Sequence, residues 1–377
     1  MYEFRRGDGK PIKELAMYWL SLIILIPYLY IILRIWKALK GILPFSGNRV
    51  PQLFISVIAA CRDEEGRLPG LLSDLLAQDY DRDLFEVIIV DDNSTDSTVQ
   101  VARSFKGLKN IRVLGNRGKG KKQALRTGAE ASRGAFLVTA DADCRFGRNW
   151  LKTIASFVEH ENPVMSINPV IIKAGRGFFN SFQELEFLSL QGITAGTAAL
   201  GNPVMCNGAN LGVSRDAWLR NSDRLHDEIA SGDDIFLLHS LKAEKAGSIL
   251  WLESADAAAE TPGSADPVSF LRQRGRWISK AGYYSDRCTR LLAFVTFVTV
   301  VAQFLLFIGG FINPALFKVF AVYTLVKSIP DFLILHNTAA RYGKIELMRW
   351  FIPSQLLYPL YVISLIPFSF RRAEWQA

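Results

Sequence analysis

The sequence predicts an α/β protein, a mostly parallel sheet covered by helices, carried between one membrane helix before it and about three after it. Three observations lead there. Short Ile/Val-rich runs alternate with leucine-spaced segments between residues 51 and 145. Apolar stretches long enough to cross a bilayer flank the central region on both sides. The 377 residues are 50% hydrophobic with a mean hydropathy of +0.16, a balance that fits one water-exposed domain plus a few membrane helices.

The first element is the apolar, aromatic run from Leu15 to Trp36. Roughly 20 apolar residues cross a bilayer, so residues 15–36 are a membrane-helix candidate within an N-terminal anchor, residues 1–50. A cleaved signal peptide is the competing reading. The run is long, and Arg34, Lys37 and Lys40 stand where a small-residue cleavage site would be, which favours an uncleaved anchor. Arg5, Arg6, Lys10 and Lys13 nearly balance those charges, so this helix alone does not orient the protein.

Next comes the alternating region of a domain expected over residues 51–288. Leu53–Ala60 reads as a buried strand, 66–78 as a helix with Leu68, Leu71, Leu72, Leu75 and Leu76 on one face, and Phe85–Val90 as a strand. Residues 94–106 read as helix, Ile111–Leu114 as strand, 120–132 as helix and Ala135–Ala140 as strand. This β-α-β-α order implies parallel pairing, with ligands at the carboxyl ends of the strands. Residues 178–190, rich in Phe and Leu, read as a core helix or an interfacial one, and 254–268 as a loop. Residues 289–377 are expected to form membrane helices at about 291–312, 314–336 and 349–369, the first two separated by Asn313-Pro314. Lys327 and Asp331 lie four apart within the second and can pair. Pro353, Pro359 and Pro367 predict that the third is kinked or only partly inserted.

Arg272, Arg274, Arg276, Lys280, Arg287 and Arg290 precede the first of these helices, which places the domain on the cytoplasmic side, as for an integral protein of a bacterial inner membrane. Arg371-Arg372 would lie outside if the third helix spans, in conflict with that rule. The four cysteines form no C-x-x-C pair and the four histidines no ligand spacing, which argues against zinc and redox sites. The net charge of +8 suits a phosphorylated substrate or anionic lipid; with long apolar segments present, nucleic acid is not expected as a partner.

Three acidic clusters carry the chemistry. Asp91-Asp92 follows Val-Ile-Ile-Val at a strand end, and Asp141-Ala142-Asp143 ends another strand. Two carboxylates one residue apart can face a Mg2+ or Mn2+ that bridges substrate phosphates; the bland reading is a solvated turn. Asn93, Ser94 or Thr95 can cap a helix, which competes with a nucleoside-binding role for Asp91-Asp92. Arg117–Lys122, Arg-Gly-Lys-Gly-Lys-Lys, can bring backbone N–H groups to phosphate, but it lacks the P-loop pattern. Asp233-Asp234 opens an apolar helix, where a carboxylate is stabilised and can act as a base. Gln273-Arg274-Gly275-Arg276-Trp277 joins an amide and guanidinium forks to an indole; it suits phosphate and sugar, or a membrane-proximal basic helix.

In this order the residues resemble the family 2 glycosyltransferases, membrane-bound enzymes with a GT-A fold, over about residues 53–280. The family's Pro-Ala-Arg-Asn-Glu-Glu stretch stands here as Ala60–Glu65, matching at Arg62, Glu64 and Glu65. Its Asp-Asp-x-Ser-x-Asp is similar to Asp91–Asp96, its Gly-Lys to Gly120-Lys121 and its D-x-D to Asp141–Asp143. Its Gly-Ala-Asn loop is similar to Gly208-Ala209-Asn210, its Glu-Asp base motif to Asp233-Asp234 with Asp replacing Glu, and its Q-x-x-R-W to Gln273, Arg276 and Trp277. Each motif is short; the ordered set is specific.

The resemblance implies roles for these positions. Arg62, Glu64, Asp91, Asp92, Lys121 and Asp141 would bind the nucleotide sugar, with a UDP-sugar the expected donor. Asp141 and Asp143 would hold Mg2+ or Mn2+. Gln273 and Arg276 would hold the diphosphate, and Asp234 would be the catalytic base. Gly208, Ala209, Asn210, Asp233 and Trp277 would face the acceptor, a lipid or a glycan. The reaction would be an inverting hexosyl transfer. A single addition to a lipid resembles the ceramide-glucosyltransferase branch, and repeated addition resembles the processive polysaccharide synthases. A transporter or scaffold with a nucleotide-binding domain and a nucleotidyltransferase are the readings from other classes.

Overall fold

The computed structural model describes residues 10–47, 50–225 and 232–369. The basic residues Arg5, Arg6, Arg371 and Arg372 lie outside that range. Helix α1 spans Lys10–Gly41, longer at both ends than the apolar run. The alternating region then forms as its pattern predicts: β1 Ile55–Cys61, α2 Leu68–Leu76, β2 Phe85–Asp91, α3 Thr98–Ser104, β3 Ile111–Gly115, α4 Lys121–Ala131 and β4 Phe136–Ala140. Every residue of Phe85–Val90 is buried, which is why this strand reads as one apolar run rather than an alternation.

The chain continues through β5 Arg145–Phe146, α5 Trp150–Glu161, β6 Met165–Ile167, β7 Val170–Lys173, α6 Phe178–Ala199, β8 Asn210–Ser214, α7 Arg215–Asn221, α8 Asp233–Lys245 and β9 Ile249–Trp251. Then come β10 Ala259–Pro262 and α9 Pro267–Ile278. The main sheet runs β3-β2-β1-β4-β8-β6-β9, and a small sheet runs β5-β10-β7. β1, β2, β3 and β4 are parallel, whereas β8 is antiparallel to both β4 and β6. Residues 254–268 are therefore not all loop. β10 pairs with Val170–Lys173, a partner far away in sequence, and nothing local in Ala-Glu-Thr-Pro announces it.

The register builds one functional edge. Cys61 pairs with Asp91, and Ala140 pairs with Asn210. The carboxyl ends of β1, β2 and β4 thus lie beside the start of the antiparallel β8, so the loops 62–65, 91–97, 141–144 and 206–209 converge.

Three helices follow: α10 Arg287–Gly310, α11 Ala315–Arg341 and α12 Phe351–Ser369. With α1, four helices among the described residues are long and apolar enough to cross a membrane. α6 joins this set to the domain and extends past its expected end. A Cβ on Gly192 would meet Thr338 and Ile334 of α11, and one on Gly196 would meet Ile35 of α1, at 2.4–2.7 Å. The small residues allow close helix approach. The expected pair forms: Lys327 Nζ donates to Asp331 Oδ2 (2.7 Å), Tyr28 donates to Asp331 Oδ1 (2.5 Å), and Gln355 accepts from Lys327 (3.2 Å). Pairing removes most of the cost of these charges in an apolar setting.

α12 runs beside the domain. Just before its start, Trp350 lies 5.4 Å from Phe178 of α6. Near its end, Phe368 closes on Gly275 of α9, where an added Cβ would sit 2.4 Å from Phe368 Cβ. Both ends touch the base of the domain, so α12 lies along that base beside α9.

Candidate active site

A cavity of about 1200 Å3 opens at the functional edge. It gathers Arg62, Glu64, Lys121, Asp141, Asp143, Gly208, Ala209, Asp233, Asp234, Gln273, Arg276 and Trp277 from segments spread over more than 200 residues. Three expected residues do not line it. Asp91 accepts a bond from the Ser94 N–H at 3.3 Å, which closes the turn after β2. Asp92 is buried and accepts from the Gly120 N–H with both oxygens (3.0 Å each) and from Asn116 (2.6 Å). It therefore shapes the glycine loop that presents Lys121; Gly120, at φ +89°, takes a conformation few other residues adopt. Asn210 is fully buried: its oxygen accepts from Trp150 and Asn168, and its amide donates to Pro169 and Ala257.

Acids crowd one wall. Lys121 Nζ donates to Asp141 Oδ1 at 2.6 Å. Burial penalises the Lys121 charge, but Asp141 and Asp233 outweigh it and raise its pKa. Burial, and then Asp141, raise the Asp143 carboxyl. Burial pushes Glu64 up to about 7 even though Arg67 sits 2.6 Å away. Carboxyls raised in this way are under-compensated, and their oxygens are the hard ligands that Mg2+ and Mn2+ take. The donor set fits a divalent ion. Among the described residues no group of three or more acidic, His or Cys side chains forms a metal cage. Asp141 and Asp143 would hold such an ion, with its remaining ligands supplied by substrate and water.

A further acidic pair, Asp233-Asp234, lines the cavity at the start of α8. Gly208 N–H donates to Asp234 Oδ2 (3.1 Å), and Ile235 N–H to Oδ1 (2.7 Å). Burial raises both carboxyls, but the outcomes differ. Lys280, the Ile235 N–H, Lys121 and the Gly208 N–H together bring Asp234 below the usual range. Asp233 stays above it, because burial and the Asp234 charge outweigh Lys121. The two neighbouring carboxyls are thus pushed in opposite directions.

Another wall is α9 with α6. Asp266 and Ser269 form a capping box that starts α9. Buried Arg274 turns away from the cavity and binds Glu186 with Nε (3.1 Å) and Nη2 (2.7 Å), while its guanidinium lies 4.1 Å from the Trp277 ring centre. Tyr361 of α12 also donates to Glu186, at 3.0 Å. This fixes the helix so that Gln273, Arg276 and Trp277 face the cavity. Burial lowers the pKa of Arg276. Phe187, Leu190, Met205 and Phe368 complete an apolar side.

Sequence reasoning missed Arg67, Lys280, the α6 face and Phe368. Arg67 stands three residues after Glu64 on the first turn leading into α2, which was a readable signal. Lys280 and Phe368 reach the cavity only through tertiary packing.

Residues 56–218 match the model of Glycosyl transferase family 2. The match runs from β1 to α7, a little under half of the chain. The fold agrees. A mannosyltransferase from Pyrobaculum calidifontis, solved in complex with GDP-Man and Mn2+, superposes with a TM-score of 0.56 at 16% identity, covering 96% of this chain and 98% of that one. The architecture is therefore GT-A-like, carried with one apolar helix before the domain and three after it. The beta-monoglucosyldiacylglycerol synthase of Nostoc sp. is 26% identical over 254 residues, 66% of this chain and 51% of that protein. The dolichyl-phosphate beta-glucosyltransferase of Drosophila melanogaster is 41% identical over 105 residues, 25% of this chain and 32% of that protein. The chain thus spans about half the length of the first and a third of the second.

Proposed function

We propose that this protein is an inverting, divalent-metal-dependent glycosyltransferase that moves a hexose from a nucleoside-diphosphate sugar to a lipid acceptor at the cytoplasmic face of a membrane. One observation carries the reading: an ionised, doubly hydrogen-bonded Asp234 faces the Asp141/Asp143 pair and the Gln273/Arg276 pair across one cavity. In that geometry Asp234 accepts the proton of the acceptor hydroxyl as its oxygen attacks the anomeric carbon. The bond to the diphosphate breaks on the opposite face. Arg276 and Lys121 stabilise the charge that gathers on the leaving group. Asp141 and Asp143 would hold a divalent ion, which would supply Lewis-acid stabilisation of that diphosphate.

Three observations support a lipid acceptor. The side of the cavity formed by Phe187, Leu190, Met205 and Phe368 is apolar, and Phe368 belongs to a helix of membrane composition. Two relatives are named for lipid-linked acceptors, a diacylglycerol and a dolichyl phosphate. The basic cluster before α10 supports the cytoplasmic orientation.

The test is incubation of the purified protein with a panel of radiolabelled nucleotide sugars and membrane lipid extract. A single labelled glycolipid is expected. Label that stays at the chromatographic origin as polymer would replace the lipid reading with a processive synthase. Asp234→Asn should lower turnover by roughly 10²–10⁴-fold with donor binding nearly unchanged, and full activity in that variant would remove the assigned base.

A further inference from the structure

Lys280 belongs to none of the motifs above, yet it reaches the centre of the site. It lies three residues past Trp277, between α9 and α10. Its side chain is 10% exposed, and its Nζ stands 3.7 Å from Asp234 Oδ1. Its aliphatic stem crosses Gly232, where an added Cβ would meet Lys280 Cδ at 2.8 Å and Phe236 at 3.0 Å. Gly232 also holds φ +93°, so two independent constraints keep a side chain out of the path of this lysine. A nearly buried ammonium threaded over a glycine to one carboxylate is costly to build without a specific partner.

We propose that Lys280 is the positioning residue of the transfer reaction: its ammonium fixes the Asp234 carboxylate, in its charged form, against the Gly208 and Ile235 N–H groups. This rests on the reading of Asp234 as the base. It extends that reading by tying the base to the helix that carries Gln273, Arg276 and Trp277. Because Lys280 directly follows α9, docking of α9 through Arg274 and Glu186 also delivers the counter-charge of the base.

The other charged and titratable groups around Asp234 are known. Asp233 precedes it on α8, and Lys121 comes from α4 and is already paired with Asp141. Cys206 and Tyr284 also face it; burial, and then Asp234, raise both pKa values, so both are neutral near pH 7. Lys121 is thus shared with the metal-site acids, whereas Lys280, which also lowers Asp233, stands at ion-pair distance from Asp234. An opposite charge within about 4–6 Å lowers a carboxyl pKa by roughly 1–3 units, which sets the size of the effect.

The experiment is the pH profile of kcat/KM for wild type, Lys280→Met and Lys280→Arg, with donor affinity measured separately by calorimetry. Removing the positive charge should move the acid limb of Lys280→Met up by about 1–3 pH units, with donor affinity within about threefold of wild type. Lys280→Arg should restore the limb. If Lys280→Met gives no cooperative melt, Lys280→Gln takes its place with the same expectation. An unmoved limb in a folded, neutral variant overturns the proposal. So does a loss of donor affinity with no change in the limb, which would make Lys280 a diphosphate ligand. Asp234→Asn, run in parallel, separates the two failures: activity there removes the base itself, whereas a dead Asp234→Asn with an unmoved Lys280→Met limb removes only the role of Lys280.

Discussion

Replacing Arg274 with Met tests whether the Q-x-x-R-W helix is held by a buried ion pair. Arg274 is 2% exposed and Glu186 8% exposed, and two guanidinium nitrogens bind the carboxylate, the closest contact being 2.7 Å. Methionine keeps much of the packing against Phe270 and Trp277 but leaves Glu186 buried without its cation. Breaking one side of a buried pair costs about 3–5 kcal/mol. Tyr361 still donates to Glu186, so the lower end, about 3 kcal/mol, is expected. At about 2–4 °C per kcal/mol for a domain of this size, the melting temperature should fall by roughly 6–12 °C. The measurement is thermal unfolding in detergent by intrinsic fluorescence, beside steady-state kinetics. The KM for the donor should rise, because Gln273 and Arg276 flank Arg274 on the same helix. The Arg274→Met/Glu186→Gln double variant removes both charges and should recover at least half of the lost stability. A single variant that melts within about 2 °C of wild type, or a double variant no better than the single, would refute the argument.

Other outcomes follow from the same geometry. Gly275→Ala drives a methyl into Phe368, at 2.4 Å from its Cβ, and should cost roughly 1–3 kcal/mol; adding Phe368→Gly, which removes that Cβ, should restore part of it, whereas Phe368→Ala, which keeps it, should not, as read by melting temperature. A tag fused after residue 377 should report on the same side of the membrane as the domain, because both ends of α12 touch the domain base; protease protection of that tag in vesicles that expose the domain would contradict this. Glu64 is raised to about 7, so its protonated form favours the folded state, and that contribution is lost as pH climbs from its unfolded value near 4.5 through 7. In chelator the stability of wild type relative to Glu64→Gln should therefore fall across that window, by less than about 3 kcal/mol because solvent screens this half-buried group, and a difference that rises with pH would show the sign to be wrong.

The topology of α12 also bears on the charge conflict visible in the sequence. That conflict assumed a spanning third helix, and a helix that lies along the domain removes the assumption. Apolar length marks a helix that tolerates lipid; whether it spans depends on what its ends touch.

Local pattern sufficed for much of this protein. The continuous apolar runs of Ile55–Cys61 and Phe85–Asp91 need burial on both faces, and the leucine spacing of Leu68–Leu76 needs a helix between them, so the sheet and its ligand-binding edge were legible. So were the acids, because a short carboxylate motif sits in consecutive residues. The tertiary structure decided what distance in sequence hides. It turned Asp92 toward the Gly120 loop rather than the cavity and locked Asn210 among Trp150, Asn168, Pro169 and Ala257. It paired β10 with β7 and brought Phe368 to Gly275 and Lys280 to Asp234. A motif specifies which groups are available. Burial and the charges around them set which carboxyl stays ionised, and those come from residues that only folding makes neighbours.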